Sequence, residues 1–231
     1  MGSVPNFSKM RRWLVACAAA CWFQAQAHHA ELLPPLDFEP PAAGTYELHR
    51  IMPAPEGRVL GLDGRPAALS SYTRGKITLL GFIYTTCVDP NGCPLAYRVF
   101  DALQETIGAT PALHGKVRFV TLSFDPARDT PDAMRQYAGS RAVEKGAGLR
   151  WYFLTTGSAR ELLPLVEGFG QDVQATAATK GSRAQRELSH VLKVFLIDRA
   201  GDIREIYTSN FLHPEMVLND ILTLLAEERL P

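Results

Sequence analysis

Three strand-length apolar runs constrain this chain most: "KITLLGFIY" (76–84), "KVRFVTLSFD" (116–125) and "RWYFLT" (150–155). The first, apolar along almost its whole length, has no face to give to water and belongs inside a sheet covered on both sides. The other two read as a second and a third strand beside it. Helix signals follow each run. After Pro94, suited to a first helical turn, Leu95, Val99, Leu103 and Ile107 recur at helical spacing. "DTPDAMRQYAG" (129–139) sets Thr130 as a cap before Pro131. "SARELLPLVEGFG" (158–170) opens with a capping box, Ser158 to Glu161, and Pro164 is expected to interrupt the helix.

The remaining elements complete the order. "RVLGLDGRPAALSSY" (58–72) turns at Asp63-Gly64 and reads as a hairpin. Residues 171–188 are polar and read as a loop. "VLKVFLID" (191–198), "RAGD" and "IREIY" (203–207) form a second hairpin, and "HPEMVLNDILTLLAEE" (213–228) is a closing amphipathic helix. The sequence β-α-β-α-β-α-β-β-α predicts an α/β thioredoxin-like fold, a central mixed sheet flanked by helices, with an N-terminal β-hairpin extension. The proline-rich stretch 28–56 reads as an extended lead-in, and 57–231 as one domain.

The first residues form a separate signal. Lys9, Arg11 and Arg12 precede the apolar "WLVACAAACWF" (13–23), and "AQA" (25–27) offers the small residues that a signal peptidase reads. This run is shorter than the about 20 residues that span a bilayer. Residues 1–27 are therefore expected to be a cleavable signal peptide and the mature protein to be periplasmic. The alternatives are lipidation at Cys17, within "LVAC", and an uncleaved membrane anchor. Residues 1–27 hold three of the 24 basic residues and none of the 24 acidic ones, so cleavage leaves a net charge of −3. No basic cluster suggests nucleic-acid binding.

Cleavage also removes Cys17 and Cys21. Cys87 and Cys93 then have only each other as intramolecular disulfide partners. They flank "VDPNG" where the first apolar run gives way to the helix near Pro94. Unpaired N–H groups and the dipole at a helix N-terminus favour thiolate over thiol, and Cys93 is expected to feel that field most. A static disulfide, a redox pair and half of a metal site all remain open at this point. A dithiol oxidoreductase of this fold would carry two residues between its cysteines and a proline before the later strand facing them. Here five residues separate the cysteines, and Ser189 and His190 precede Val191. Two thiolates and one imidazole suit Cu(I), and Cu(II) with an added ligand; zinc would want a fourth ligand for a closed structural site.

Three stretches resemble the Sco/SenC family of copper chaperones for cytochrome c oxidase assembly. "GFIYTTC…CP" is similar to its strand-to-cysteine motif, "LSFDPARDTPD" (122–132) to its S-V-D-P-x-R-D-T-P-E segment, and "SHVLKVFLID" to its histidine strand. The resemblance, running from about Gly57 to Leu225, implies copper ligands at Cys87, Cys93 and His190 and one copper per chain. It implies delivery to the binuclear copper-site subunit of a respiratory oxidase. The family pattern has three residues between its cysteines, so this loop is two longer. Closure of a Cys87–Cys93 disulfide would block metal binding, which implies a periplasmic thiol reductant as a second partner. The protein is expected to be a monomer and not an enzyme. Rival readings are a thiol–disulfide oxidoreductase that reduces the oxidase cysteines, and a copper or redox sensor. Asp125 and Asp129 are candidates for supporting His190 or docking a partner, against simple turn and capping roles. Asp89 reads as a turn former before Pro90, and His28 and His29 as a frayed terminus.

Overall fold

The computed structural model describes residues 33, 35–142, 148–171, 173–175 and 188–227, with the backbone alone at 174, 175 and 188–190. Contacts divide the chain after Pro35, and every element below lies in the unit that starts at Leu36. Its main sheet has six strands in the order β1-β10-β9-β4-β5-β6. These are β1 (Met52–Pro53), β4 (Ile77–Ile83), β5 (Val117–Ser123), β6 (Arg150–Leu154), β9 (Val194–Ile197) and β10 (Asp202–Tyr207). β4, β5 and β6 run parallel, β9 is antiparallel to β4, and β10 is antiparallel to β9.

Every residue of β4 and of β5 is buried; β4 is almost wholly apolar, whereas β5 also buries Arg118, Thr121 and Ser123. Burying one such Leu, Ile or Phe side chain is worth about 1.5–3 kcal/mol. The helices are α1 (Ser70–Thr73), α2 (Cys93–Ala109), α3 (Pro131–Ala138), α4 (Ala159–Gly168) and α5 (Pro214–Glu227). α2 and α5 pack on one another. Thr130 caps α3 by accepting from the Ala133 N–H at 3.3 Å, and Ser158 caps α4 by accepting from Glu161 N–H at 3.3 Å. β2 (Arg58–Leu60) and β3 (Pro66–Ala68) form the separate hairpin extension. This arrangement is the thioredoxin-like fold that the element order predicts.

Four details differ from the sequence reading. Pro164 does not interrupt α4, which continues to Gly168. The carbonyl that loses its partner belongs to Arg160, and both residues are exposed, so water can satisfy it while Leu162, Leu165 and Val166 hold the buried face. The stretch read as loop begins with β7 (Val173–Ala175), which pairs with β8 (Leu188–His190). The later buried strand begins at Val194 rather than Val191, whose side chain is 58% exposed.

Part of the proline-rich lead-in is also bound to the sheet. Ile51 N–H donates to Ile203 O at 2.9 Å and Ala54 N–H to Gly201 O at 2.8 Å, which places β1 at the β10 edge. Upstream, Tyr46 OH donates to buried Asp220, which also accepts from Tyr207 OH at 2.5 Å. Arg204 joins the Leu48 carbonyl, Asp198 and Glu227. The result is a strap along β10 and α5.

Candidate functional site

β4 delivers the chain to Tyr84, a buried residue whose ring lies 5.4 Å from that of Phe124. A turn follows, with Cys87 N–H donating to Tyr84 O at 3.1 Å. Asp89 then builds the second turn: its Oδ1 accepts from Asn91 N–H at 3.0 Å, and its carbonyl from Gly92 N–H at 3.0 Å. The lengthened "VDPNG" loop is thus folded by its own aspartate, in the turn role expected of it. α2 begins at Cys93 with Pro94 next and no side-chain cap on Gly92, so its N-terminal field opens toward the loop.

Both cysteines are free thiols brought into hydrogen-bond contact, Cys87 half-buried and Cys93 only 1% exposed. The hydrogen bond from the Cys93 thiol lowers the Cys87 pKa to about 5, helped by the backbone N–H groups of Cys93 and Asp89 and by the Tyr84 hydroxyl, and opposed by burial. Cys93 moves the other way: it is the proton donor to Cys87, it is buried, and it faces the Cys87 charge. The expectation that Cys93 would be the more acidic thiol is therefore reversed. Sharing one proton and burial outweigh proximity to the helix N-terminus. One half-buried thiolate beside one fully buried thiol can attack a disulfide or, with the second proton gone, present two soft sulfurs to a metal.

Asp129 is only 1% exposed and faces the start of this loop. Its carboxylate accepts from Thr85 N–H at 3.1 Å, Thr85 Oγ1 at 2.5 Å and Ser123 Oγ at 2.5 Å. It does not cap α3, a role held by Thr130. Asp125 pairs with Arg128 at 3.1 Å, and its carbonyl accepts from the N–H of Asp129 at 2.8 Å. Thr85, Ser123 and Tyr84 were not singled out by the sequence; hydroxyls acquire such roles only through tertiary placement.

His190 ends β8, paired with Val173. Its side chain lies outside the described residues, as do residues 1–32, where the signal peptide is expected. Val194 pairs with Gly81 and Ile197 with Thr78, so the chain before Val194 comes from the C-terminal end of β4, where the cysteine loop leaves. The topology therefore brings the backbone near His190 to the dithiol end of the sheet. Among the described residues no three His, Cys, Asp or Glu side chains form a metal-sized group. Among them no helix is long and apolar enough to cross a membrane. A groove of about 640 Å³ lies elsewhere, between the strap and α5, lined by residues such as Tyr46, His49, Arg204 and Glu227.

The fold and this unequal dithiol define a thioredoxin-like thiol protein. The SCO1/SenC family model matches residues 50–226, and the chain belongs to that family. Solved structures agree in fold. Arabidopsis thaliana ScoI with copper bound superposes with a TM-score of 0.60 at 20% identity, over 74% of this chain and 97% of that one. A SCO1/SenC family lipoprotein from Bacillus anthracis gives 0.60 at 20%, over 76% and 95%. BsSco, described as a member of the Sco family of cytochrome c oxidase assembly proteins and as carrying a disulfide switch, gives 0.58 at 21%, over 78% and 98%. No curated protein matches the chain.

Proposed function

We propose that this protein is a periplasmic copper chaperone, and that Cys87, Cys93 and His190 hold one copper ion for delivery to the binuclear copper site of a respiratory oxidase. The observation that carries the reading is the juxtaposed, unbridged thiol pair at the start of α2. Two soft sulfurs and an imidazole fit Cu(I), with Cu(II) held when a further ligand joins. The copper in Arabidopsis ScoI and the oxidase-assembly description of BsSco support the cargo and the recipient. The signal peptide 1–27, the domain 57–231 and a monomeric state belong to the same proposal.

The unequal exposure of the thiols gives transfer an order. Cys87 is the ligand that an incoming thiolate of the recipient displaces first, and buried Cys93 is released second. Asp129 acts behind them by fixing Thr85, and Asp125 by fixing Asp129. Oxidation joins the two sulfurs and removes both donors, so a periplasmic thiol reductant is required.

The test is metal content after anaerobic reconstitution with Cu(I). One copper per chain, lost in Cys87→Ser and in His190→Ala, is expected. A second reading, reduction of the recipient's cysteines, draws on the low pKa of Cys87. It requires both cysteines but not His190. If His190→Ala loses copper binding yet still reduces client disulfides and supports oxidase assembly, the chaperone reading fails and the reductase reading replaces it.

A further inference from the structure

The stretch between Cys87 and Cys93 contains Asn91-Gly92, and no other asparagine in the chain is followed by glycine. That pair carries chemistry of its own. The side-chain carbonyl carbon of an asparagine can be attacked by the backbone nitrogen of the next residue, and glycine, having no Cβ, hinders the approach least. Heat-labile asparagines are lost by this kind of reaction. Asn91 is exposed, at the tip of a loop that also exposes Val88, Asp89 and Pro90.

In the closed loop the nucleophile is withheld. Gly92 N–H donates to the Asp89 carbonyl at 3.0 Å, so the proton that must leave before the nitrogen can attack is held in the turn. Asp89 Oδ1 accepts from Asn91 N–H at 3.0 Å, and Arg98 donates to the Pro90 carbonyl at 3.3 Å, bracing the same turn. Both of these braces are exposed, so each adds little net stability. A loop held in this way opens locally while the domain stays folded. Each opening frees the Gly92 nitrogen beside an exposed asparagine.

We propose that Asn91 is a site of spontaneous deamidation, that the Asp89 turn sets its rate, and that its product disables the thiol pair. Gly92 N forms a bond to Asn91 Cγ, the Cγ–Nδ2 bond breaks, and ammonia leaves with the proton from Gly92 N. Water then opens the cyclic imide at either carbonyl, giving aspartate or isoaspartate. Both products put a carboxylate into the loop that joins the two sulfurs. Isoaspartate also runs the main chain through the former side chain, which lengthens the loop and alters the spacing of Cys87 and Cys93. The consequence for copper rests on the reading of the cysteines as ligands; the chemistry at Asn91 does not.

The test ages the reduced mature protein at neutral pH and physiological temperature, both folded and in urea. Peptide mapping follows the mass gain of deamidation, and isoaspartyl methyltransferase labels the isoaspartate. Mapping also sets aside Asp63-Gly64, where isomerisation gives isoaspartate with no mass gain. Wild type is expected to convert at Asn91 ahead of Asn210 and Asn219, and more slowly when folded than in urea. Asp89→Ala removes one hydrogen bond of the turn and should convert about 2–10-fold faster than folded wild type. The isoaspartyl form, separated by ion exchange, is expected to lose Cu(I) affinity in chelator competition. Equal rates for Asp89→Ala and folded wild type refute the gate. Conversion at Asn91 no faster than at Asn210 or Asn219 refutes the site. An isoaspartyl form that binds Cu(I) as tightly as the unaged protein refutes the effect on the thiol pair. If the unaged protein takes up no Cu(I), the copper reading falls, while the rates at Asn91 still decide the site and its gate.

Discussion

Replacing Asp129 by alanine tests whether the cysteine loop is held from behind. The carboxylate is buried and accepts three hydrogen bonds, two from Thr85 and one from Ser123. A hydrogen bond to a charged group contributes about 1.5–3 kcal/mol, and a buried donor left unpaired costs about 1–3 kcal/mol. The two hydroxyls can rotate toward other acceptors, and half-buried Thr85 can reach water; the Thr85 N–H has less freedom. Asp129→Ala is therefore expected to cost about 2–4 kcal/mol, and Asp129→Asn, which keeps one oxygen, about 1 kcal/mol. For a domain of this size, a loss of 3 kcal/mol lowers Tm by about 6–12 °C. Urea unfolding followed by circular dichroism gives the free energy, and the alkylation rate of Cys87 in the folded state gives the loop's response. A loss below about 0.5 kcal/mol, the scale of a featureless surface change, refutes the anchor. An unchanged Cys87 rate in a destabilised Asp129→Ala refutes its reach into the loop.

Alkylation of Cys87 by iodoacetamide should reach half its plateau rate near pH 5, where its thiolate forms, and Cys93→Ser should move that midpoint upward by weakening the hydrogen bond that lowers it; a wild-type midpoint near the ordinary thiol value of about 8.5 contradicts the shared proton. Burial holds the Asp220 carboxyl above its usual range against the hydrogen bonds of Tyr207 and Tyr46, so its contribution to stability is complete below the usual carboxylate range and is lost as pH rises through the raised value. Asp220→Asn should therefore change less in unfolding free energy between about pH 4 and about pH 8 than wild type does, and an equal change counts against this account. A Cβ added at Gly57 would stand 2.5 Å from Cδ2 of fully buried Leu165, so Gly57→Ala should cost about 1–3 kcal/mol in urea unfolding, and a neutral result means that the α4 contact is looser than described.

The central strands were legible because burial on both faces leaves a direct mark, as in Ile77–Ile83 and Val117–Ser123. Thr130 and Ser158 were equally plain, since capping is local chemistry. Pro164 misled because the damage a proline does depends on whether the orphaned carbonyl is wet, and helix periodicity does not state that. The pairing of Val173 with His190 was hidden because it joins two short pieces far apart in sequence. At the site, the two cysteines could be picked out by their placement before a helix, but their order of acidity could not. It depends on Cys93 being buried and aimed at Cys87, a matter of packing. The Asp129 anchor was half legible: "DPARD" stood out, whereas Thr85 and Ser123 carry no signal of their own.

β10 ends at Tyr207 opposite Val194, which is the cysteine end of β4. The loop after Tyr207 carries Phe211, and the ring of Phe38 lies 6.2 Å from it. Ala54 is held at the opposite end of β10, on the Gly201 carbonyl, so residues 38–54 line that strand from one end to the other. A fragment trimmed to begin at Gly57 would leave the flank of β10 and α5 uncovered and is expected to unfold at a lower urea concentration than the chain that keeps residues 38–56.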